Sequence, residues 1–148
     1  MKFKNPQAAI FVPDGMAVDP AFRRITHLGI GAHQDDLEIM AFHGIQKCFN
    51  SGDLWFGAVV CTNGSGSPRA GEYAGYSDAD MAALRRREQE KAAIIGNYGC
   101  LVQLNCASAD VKTDKDGCVK ADLESILQAS RPGVVYTHNP ADKHDTHV

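Results

Sequence analysis

Residues 25–48, ITHLGIGAHQDDLEIMAFHGIQKC, decide the fold. Ile25–Ala32 is a short apolar run ending in small residues, the pattern of a strand buried on both faces. Directly after it, Leu37, Met40, Ala41, Gly44, Ile45 and Cys48 recur at i, i+3, i+4, i+7, i+8 and i+11, which lays one apolar stripe along a helix. Asn50-Ser51-Gly52 closes that helix. A strand that runs straight into an amphipathic helix is the first half of a βαβ unit.

The rest of the chain repeats the alternation. Leu54–Thr62 reads as a second buried strand, followed by a polar loop over 63–76 that contains Gly64, Gly66, Gly71 and Gly75. Ser77-Asp78-Ala79-Asp80 has the form of a capping box that opens a helix to Ile95, with Gly96 placed to end it. Within that helix, Arg85-Arg86-Arg87 has Glu88 and Glu90 in i+3 and i+4 reach and reads as a solvated, paired face. Cys100–Cys106 is a third strand, Leu123, Ile126 and Leu127 mark a short helix, and Val134–Thr137 is a fourth strand. This order predicts an α/β, Rossmann-like three-layer fold with a mostly parallel sheet and right-handed crossovers. A strand order of 3-2-1-4 places the ends of strands one and four at the switch point, where ligands bind such sheets. Residues 1–24, with turns at Pro13-Asp14-Gly15 and Asp19-Pro20, are expected to form an irregular lead-in, and 25–148 the domain itself.

Composition restricts the function classes. A chain of 148 residues suits one domain, and 44% hydrophobic with 22% charged residues is ordinary globular usage. The net charge of −3, without a basic block, argues against nucleic-acid binding. There is no signal-peptide core and no apolar run long enough to span a membrane, so the expectation is a cytoplasmic protein. Five scattered cysteines without a C-x-x-C pair fit reduced thiols in the core better than disulfides or a thiolate metal site.

The chemistry gathers in the two loops at the switch point. Strand one leads into His33-Gln34-Asp35-Asp36, and strand four into His138 and then Asp142-Lys143-His144-Asp145-Thr146-His147. The spacings H-x-x-D and H-x-x-H offer a divalent metal three nitrogen or oxygen ligands with one residue to spare, which is what catalytic zinc uses. Asp35, adjacent to a ligand, stands where a base can take a proton from water at the metal. The plainer alternative is an Asp-Asp helix cap with a polar loop nearby. Metal spacing in both loops, at one predicted edge, favours the metal.

Ala32-His33-Gln34-Asp35-Asp36 resembles the A-H-P-D-D signature of the PIG-L/LmbE family of zinc-dependent N-acetylglucosaminyl deacetylases. His144-Asp145-Thr146-His147 is similar to its second signature, a later H-x-x-H pair. The likeness runs from strand one to the end and takes in the Thr62-Asn63-Gly64 turn and the Arg-Arg-x-Glu helix. It implies Zn2+, or another divalent metal, on His33, Asp36 and His147, with Asp35 as general base. It also implies that His144 stabilises the oxyanion and protonates the leaving amine, oriented by Asp142 or Asp145. Gln34 stands where the family has proline, and H-D-T-H where many members have H-P-D-H. The implied reaction is hydrolysis of an N-acetyl group from an N-acetylglucosamine-type sugar conjugate, a small-molecule substrate that Arg69 and Tyr73 of the 63–76 loop would contact. Two other readings stand beside it, a metal-dependent phosphoesterase and a non-catalytic fragment or binding domain. The chain stops one residue after His147, so the domain is expected to be truncated at its carboxyl end, and assembly into a homo-oligomer stays open.

Overall fold

The structure, a computed structural model, describes all 148 residues. In chain order the elements are β1 (Ala9–Phe11), α1 (Val18–Arg23), β2 (His27–Gly31), α2 (Asp36–Met40), α3 (Phe42–Cys48), β3 (Phe56–Thr62), a 3-10 turn (Gly71–Tyr73), α4 (Asp78–Ile95), β4 (Cys100–Cys106), α5 (Ser108–Thr113), α6 (Cys118–Ser130) and β5 (Val134–Tyr136). They form one five-stranded sheet of order β1-β4-β3-β2-β5. The four strands read from the sequence lie in the expected order and are parallel, with His27 opposite Phe56 and Val134, and Gly57 opposite Cys100.

Two expectations about the elements are corrected. Residues 1–24 are not an irregular lead-in: β1 pairs antiparallel with β4, Ile10 opposite Val102, and α1 buries Ala21 and Phe22 in the core. Three-residue strands carry too little periodicity to be seen in a sequence, and this one exists because β4 offers it an edge. The helix expected over Leu37–Cys48 is two helices, broken at Ala41 (φ −108°, ψ 12°). Its apolar stripe survives the break, since Leu37, Ala41, Ile45 and Cys48 all enter one core.

β3 is buried over its whole length, and its side chains alternate between two cores. Val59 and Cys61 join α1 and α6 on one face, while Ala58 and Val60 join Leu37, Ile45 and Tyr98 on the other. Each fully buried Leu or Phe in these layers contributes about 1.5–3 kcal/mol by removal from water. Glycines in β2 let α2 come this close: a Cβ on Gly29 would stand 2.9 Å from Leu37 and 2.8 Å from the Phe56 ring. All five cysteines are free and four are buried. Burial pushes the Cys61 and Cys100 thiols up to about 12, so they are packing groups, as the scattered spacing suggested. The predicted capping box is present, with Ser77 Oγ accepting from the Asp80 N–H and the Asp80 carboxylate accepting from the Ser77 N–H.

His27, at the start of β2, is buried with Nδ1 2.9 Å from Thr26 Oγ1. Burial, then the charges of Lys47 and His43, hold it below the ordinary imidazole value. The unfolded chain therefore takes up this proton at higher pH than the native chain does. The resulting stability is complete above the ordinary value of 6.5 and is lost as pH falls through the native pKa. The metal-free protein is expected to melt at lower temperature near about pH 5 than near about pH 7.5, with a shallower dependence in His27→Phe. Equal slopes in circular-dichroism melts of the two proteins would assign the acid sensitivity to other groups.

Candidate metal centre and active site

The winding of the sheet sets the place. The chain runs outward from β2 through β3 to β4, then returns to the other side of β2 as β5. The loops after β2 and β5 thus open side by side at the carboxyl edge, the binding position in such sheets.

The β2 loop folds back on itself. The His33 N–H donates to Asp36 Oδ2 at 2.6 Å, which draws the Asp36 carboxylate to within 3.4 Å of His33 Nδ1. H-x-x-D spacing therefore does bring both groups to one point. From the β5 loop, His147 Nε2 lies 3.3 Å from His33 Nδ1 and 3.6 Å from Asp36 Oδ2. Asp142 Oδ2 is 3.1 Å from His147 Nδ1, the pairing that puts the proton on Nδ1 and leaves the Nε2 lone pair facing the other two donors. Asp142 Oδ1 also accepts the His144 N–H, and these two bonds hold the Asp142 carboxyl below the usual range.

These three separations, 3.3, 3.4 and 3.6 Å, can be set against a metal. Ligands about 2.0–2.1 Å from a tetrahedral zinc stand about 3.3–3.4 Å apart. Donor types and spacing fit. Electrostatics agrees, since two imidazole nitrogens cannot both turn lone pairs on one carboxylate oxygen without a proton or cation among them. Burial pushes the Asp36 carboxyl up, but the side-chain and backbone hydrogen bonds from His33, with the charges of His138 and His33, outweigh it and leave the group below its ordinary range.

His138 is the residue to which the sequence reading gave no role. Its Nε2 is 3.1 Å from Asp36 Oδ2 and accepts the Ala32 N–H at 3.0 Å, and its ring stacks on His147 at 3.8 Å between centroids. It extends a second convergent set, Asp36, His138 and His147, beside a set of His33, His144 and His147. The backbone bond occupies the Nε2 lone pair and leaves no proton there for Asp36, so His138 supports the cluster by stacking on His147. No sequence signal pointed to it: the β2–β5 register, Gly29 opposite Tyr136, is what carries His138 to the end of β2.

Asp35 begins α2 in the left-handed region (φ 81°), a conformation that costs a non-glycine residue about 1–3 kcal/mol. Its side chain does not cap the helix. The carboxylate is mostly exposed and accepts from Arg85 Nη2 at 2.9 Å. The same Arg85 nitrogen donates to Gln34 O at 2.7 Å. This corrects the reading of the arginine run: Arg86 pairs with Glu90 on the surface as expected, and Arg85 pairs with Glu88 but also reaches the site. Gln34 is buried and donates from Nε2 to Thr62 O, so it ties the loop to the end of β3 by a hydrogen bond.

The remaining residues are placed as follows. His144 is at the site, its ring edge-on to His33 and stacked on His147, and its Nδ1 accepts the Thr146 N–H at 3.3 Å. Neither aspartate orients its ring: Asp142 bonds the His144 backbone and the His147 ring, and Asp145 is exposed, 3.9 Å from Lys112. Tyr73 lines a cavity of about 590 Å³ together with His33, Asp35, Asp36, Arg85 and His147. Arg69 is held elsewhere, by Asp78 and Ser65 O.

The chain is an open, mostly parallel α/β sheet with a histidine–carboxylate cluster at its switch point, the place where such sheets bind ligands. The profile of the PIG-L family, described as GlcNAc-PI de-N-acetylase, matches residues 28–148, and the chain belongs to this family. Among solved structures, the N,N'-diacetylchitobiose deacetylase from Pyrococcus horikoshii, in complex with its inhibitor MPG, is similar with a TM-score of 0.69 and 25% identity, over 91% of this chain and 49% of that one. The antimicrobial reagent pseudoaglycone deacetylase Dbv21 is similar in fold, with a TM-score of 0.54 and 23% identity, over 84% of this chain and 55% of that one. The chain thus spans about half the length of the solved structures it matches. A comparison with curated proteins gave no match. No helix is long and apolar enough to cross a membrane.

Proposed function

We propose that this chain hydrolyses the N-acetyl group of an N-acetylated sugar conjugate, using one divalent metal, zinc, held by His33, Asp36 and His147. The observation that carries the reading is the triangle of donors with 3.3–3.6 Å edges, beside an exposed carboxylate. Zinc in such a set supplies Lewis-acid activation of water and of a carbonyl oxygen. Asp35 is the base that receives the proton from the attacking water, and Arg85 holds its Oδ2 so that Oδ1 is the free oxygen. His144 has Nδ1 bound to the Thr146 N–H, which leaves Nε2 to carry the proton that the leaving amine needs. Protonated there, it faces the negative charge that develops on the carbonyl oxygen. Most of the residues that line the cavity are polar, which suits a sugar, and Tyr73 offers it an aromatic face. GlcNAc-type substrates are favoured by the family profile and by the diacetylchitobiose deacetylase among the structural neighbours.

A single metal is supported over the two-metal arrangement of many phosphoesterases, because the two convergent sets share His147 and the His138 lone pair is already engaged. The test is acetate release from N-acetylglucosamine and N,N'-diacetylchitobiose by zinc-loaded and chelator-stripped protein, with metal counted by mass spectrometry. Zinc-dependent acetate release with one metal per chain is expected. Two metals per chain with phosphate-ester hydrolysis and no acetate would move the assignment to the phosphoesterase class.

A further inference from the structure

The peptide group between Gln34 and Asp35 is gripped at both ends by α4. Its carbonyl accepts from Arg85 Nη2 at 2.7 Å, and its N–H donates to Gln89 Oε1 at 3.1 Å. Arg85 and Gln89 are four residues apart and therefore share one face of the helix. This peptide plane is one side of the N–Cα bond whose rotation is the φ of 81° at Asp35, and the first turn of α2 holds the other side.

Gln89 cannot turn its amide over. It is 2% exposed, and its Nε2 donates to Glu38 Oε1 at 2.8 Å, so a flip would set the amide oxygen against a carboxylate. Tyr98 Oη donates to the same Glu38 oxygen at 2.7 Å from a fully buried ring packed on Phe56. Burial and the neighbouring Glu38 push the Tyr98 hydroxyl upward, which keeps it a donor. None of Gln89, Glu38 and Tyr98 lines the cavity.

We infer that Gln89, with its amide oriented by Glu38 and Tyr98, is a positioning residue that holds Asp35 in its left-handed conformation and so keeps the Asp35 carboxylate beside the His33–Asp36–His147 donors. This rests on the proposed role of Asp35 as base. Arg85 touches both the backbone and the carboxylate, whereas Gln89 touches only the N–H, so Gln89 gives the clean test.

Gln89→Met is close to isosteric and removes the acceptor. Two readouts are needed on zinc-loaded protein: amide exchange at Asp35 by NMR, and kcat and KM for acetate release. Exchange at Asp35 is expected to accelerate at least about tenfold while amides of β3 stay protected. The kcat is expected to fall on the order of 10- to 100-fold, as for a misplaced catalytic group. The KM is expected to stay within about twofold, with zinc affinity unchanged. Tyr98→Phe should move both readouts the same way by less, and it carries the test if Gln89→Met does not fold. Wild-type kcat in a variant whose Asp35 amide has lost protection would overturn the inference, as would unchanged exchange at Asp35. If wild-type protein releases no acetate, the deacetylase reading fails, while the exchange measurement still decides whether the clamp exists.

Discussion

Asp35→Asn is expected to lower kcat by about 10²–10⁴-fold, the usual contribution of a positioned general base, while zinc stays bound at the wild-type ratio. The substitution isolates proton transfer. Asparagine is among the few side chains that tolerate φ near the 81° of this position, so the backbone need not move. Its amide oxygen still accepts from Arg85, and the donors His33, Asp36 and His147 are untouched. What disappears is the oxygen able to accept a proton. Steady-state kinetics with metal analysis on the same sample checks this, and full turnover in Asp35→Asn would remove Asp35 from the mechanism.

Removing His147 should do more to the metal than to anything else. His147→Ala deletes one corner of the donor triangle and strands Asp142, whose carboxylate has the His147 ring as its side-chain partner. Loss of an outer partner typically weakens metal binding by about 10–100-fold, and Asp142→Asn is expected in that range. His147→Ala is expected to exceed it and to abolish acetate release at ordinary zinc concentrations. Competition against a chelator of known affinity measures both. Wild-type zinc affinity in His147→Ala would shift the ligand set towards His138 or His144, the remaining imidazoles of the cluster.

Legibility in the sequence followed range. The strand–helix alternation, the capping box at Ser77 and the two histidine loops were readable because each is written in residues close along the chain. The parallel order of the four main strands was readable too, since right-handed crossovers leave few arrangements. β1 was hidden because three residues carry no period, and the helix break at Ala41 because an apolar stripe continues through it. Arg85 was misjudged for another reason. Its neighbour Glu88 satisfies the local i+3 rule, so nothing in the local pattern pointed to Asp35, fifty residues away.

The sequence by itself determined where the histidine–carboxylate cluster had to form: H-x-x-D after one strand, H-x-x-H after another, and an order of elements that brings the two together. Local spacing sufficed there because the His33–Asp36 geometry is made within a single turn, by the His33 N–H on the Asp36 carboxylate. Only the tertiary structure decided which groups hold that cluster in shape. His138 reaches Asp36 through the β2–β5 register, Asp142 turns to His147 and not to His144, and α4 grips the Gln34–Asp35 peptide. Those contacts join residues up to about a hundred positions apart, and hydrogen bonds act over about 3 Å. No pattern along the chain encodes which distant groups arrive within that distance; the packing of helices on the sheet does.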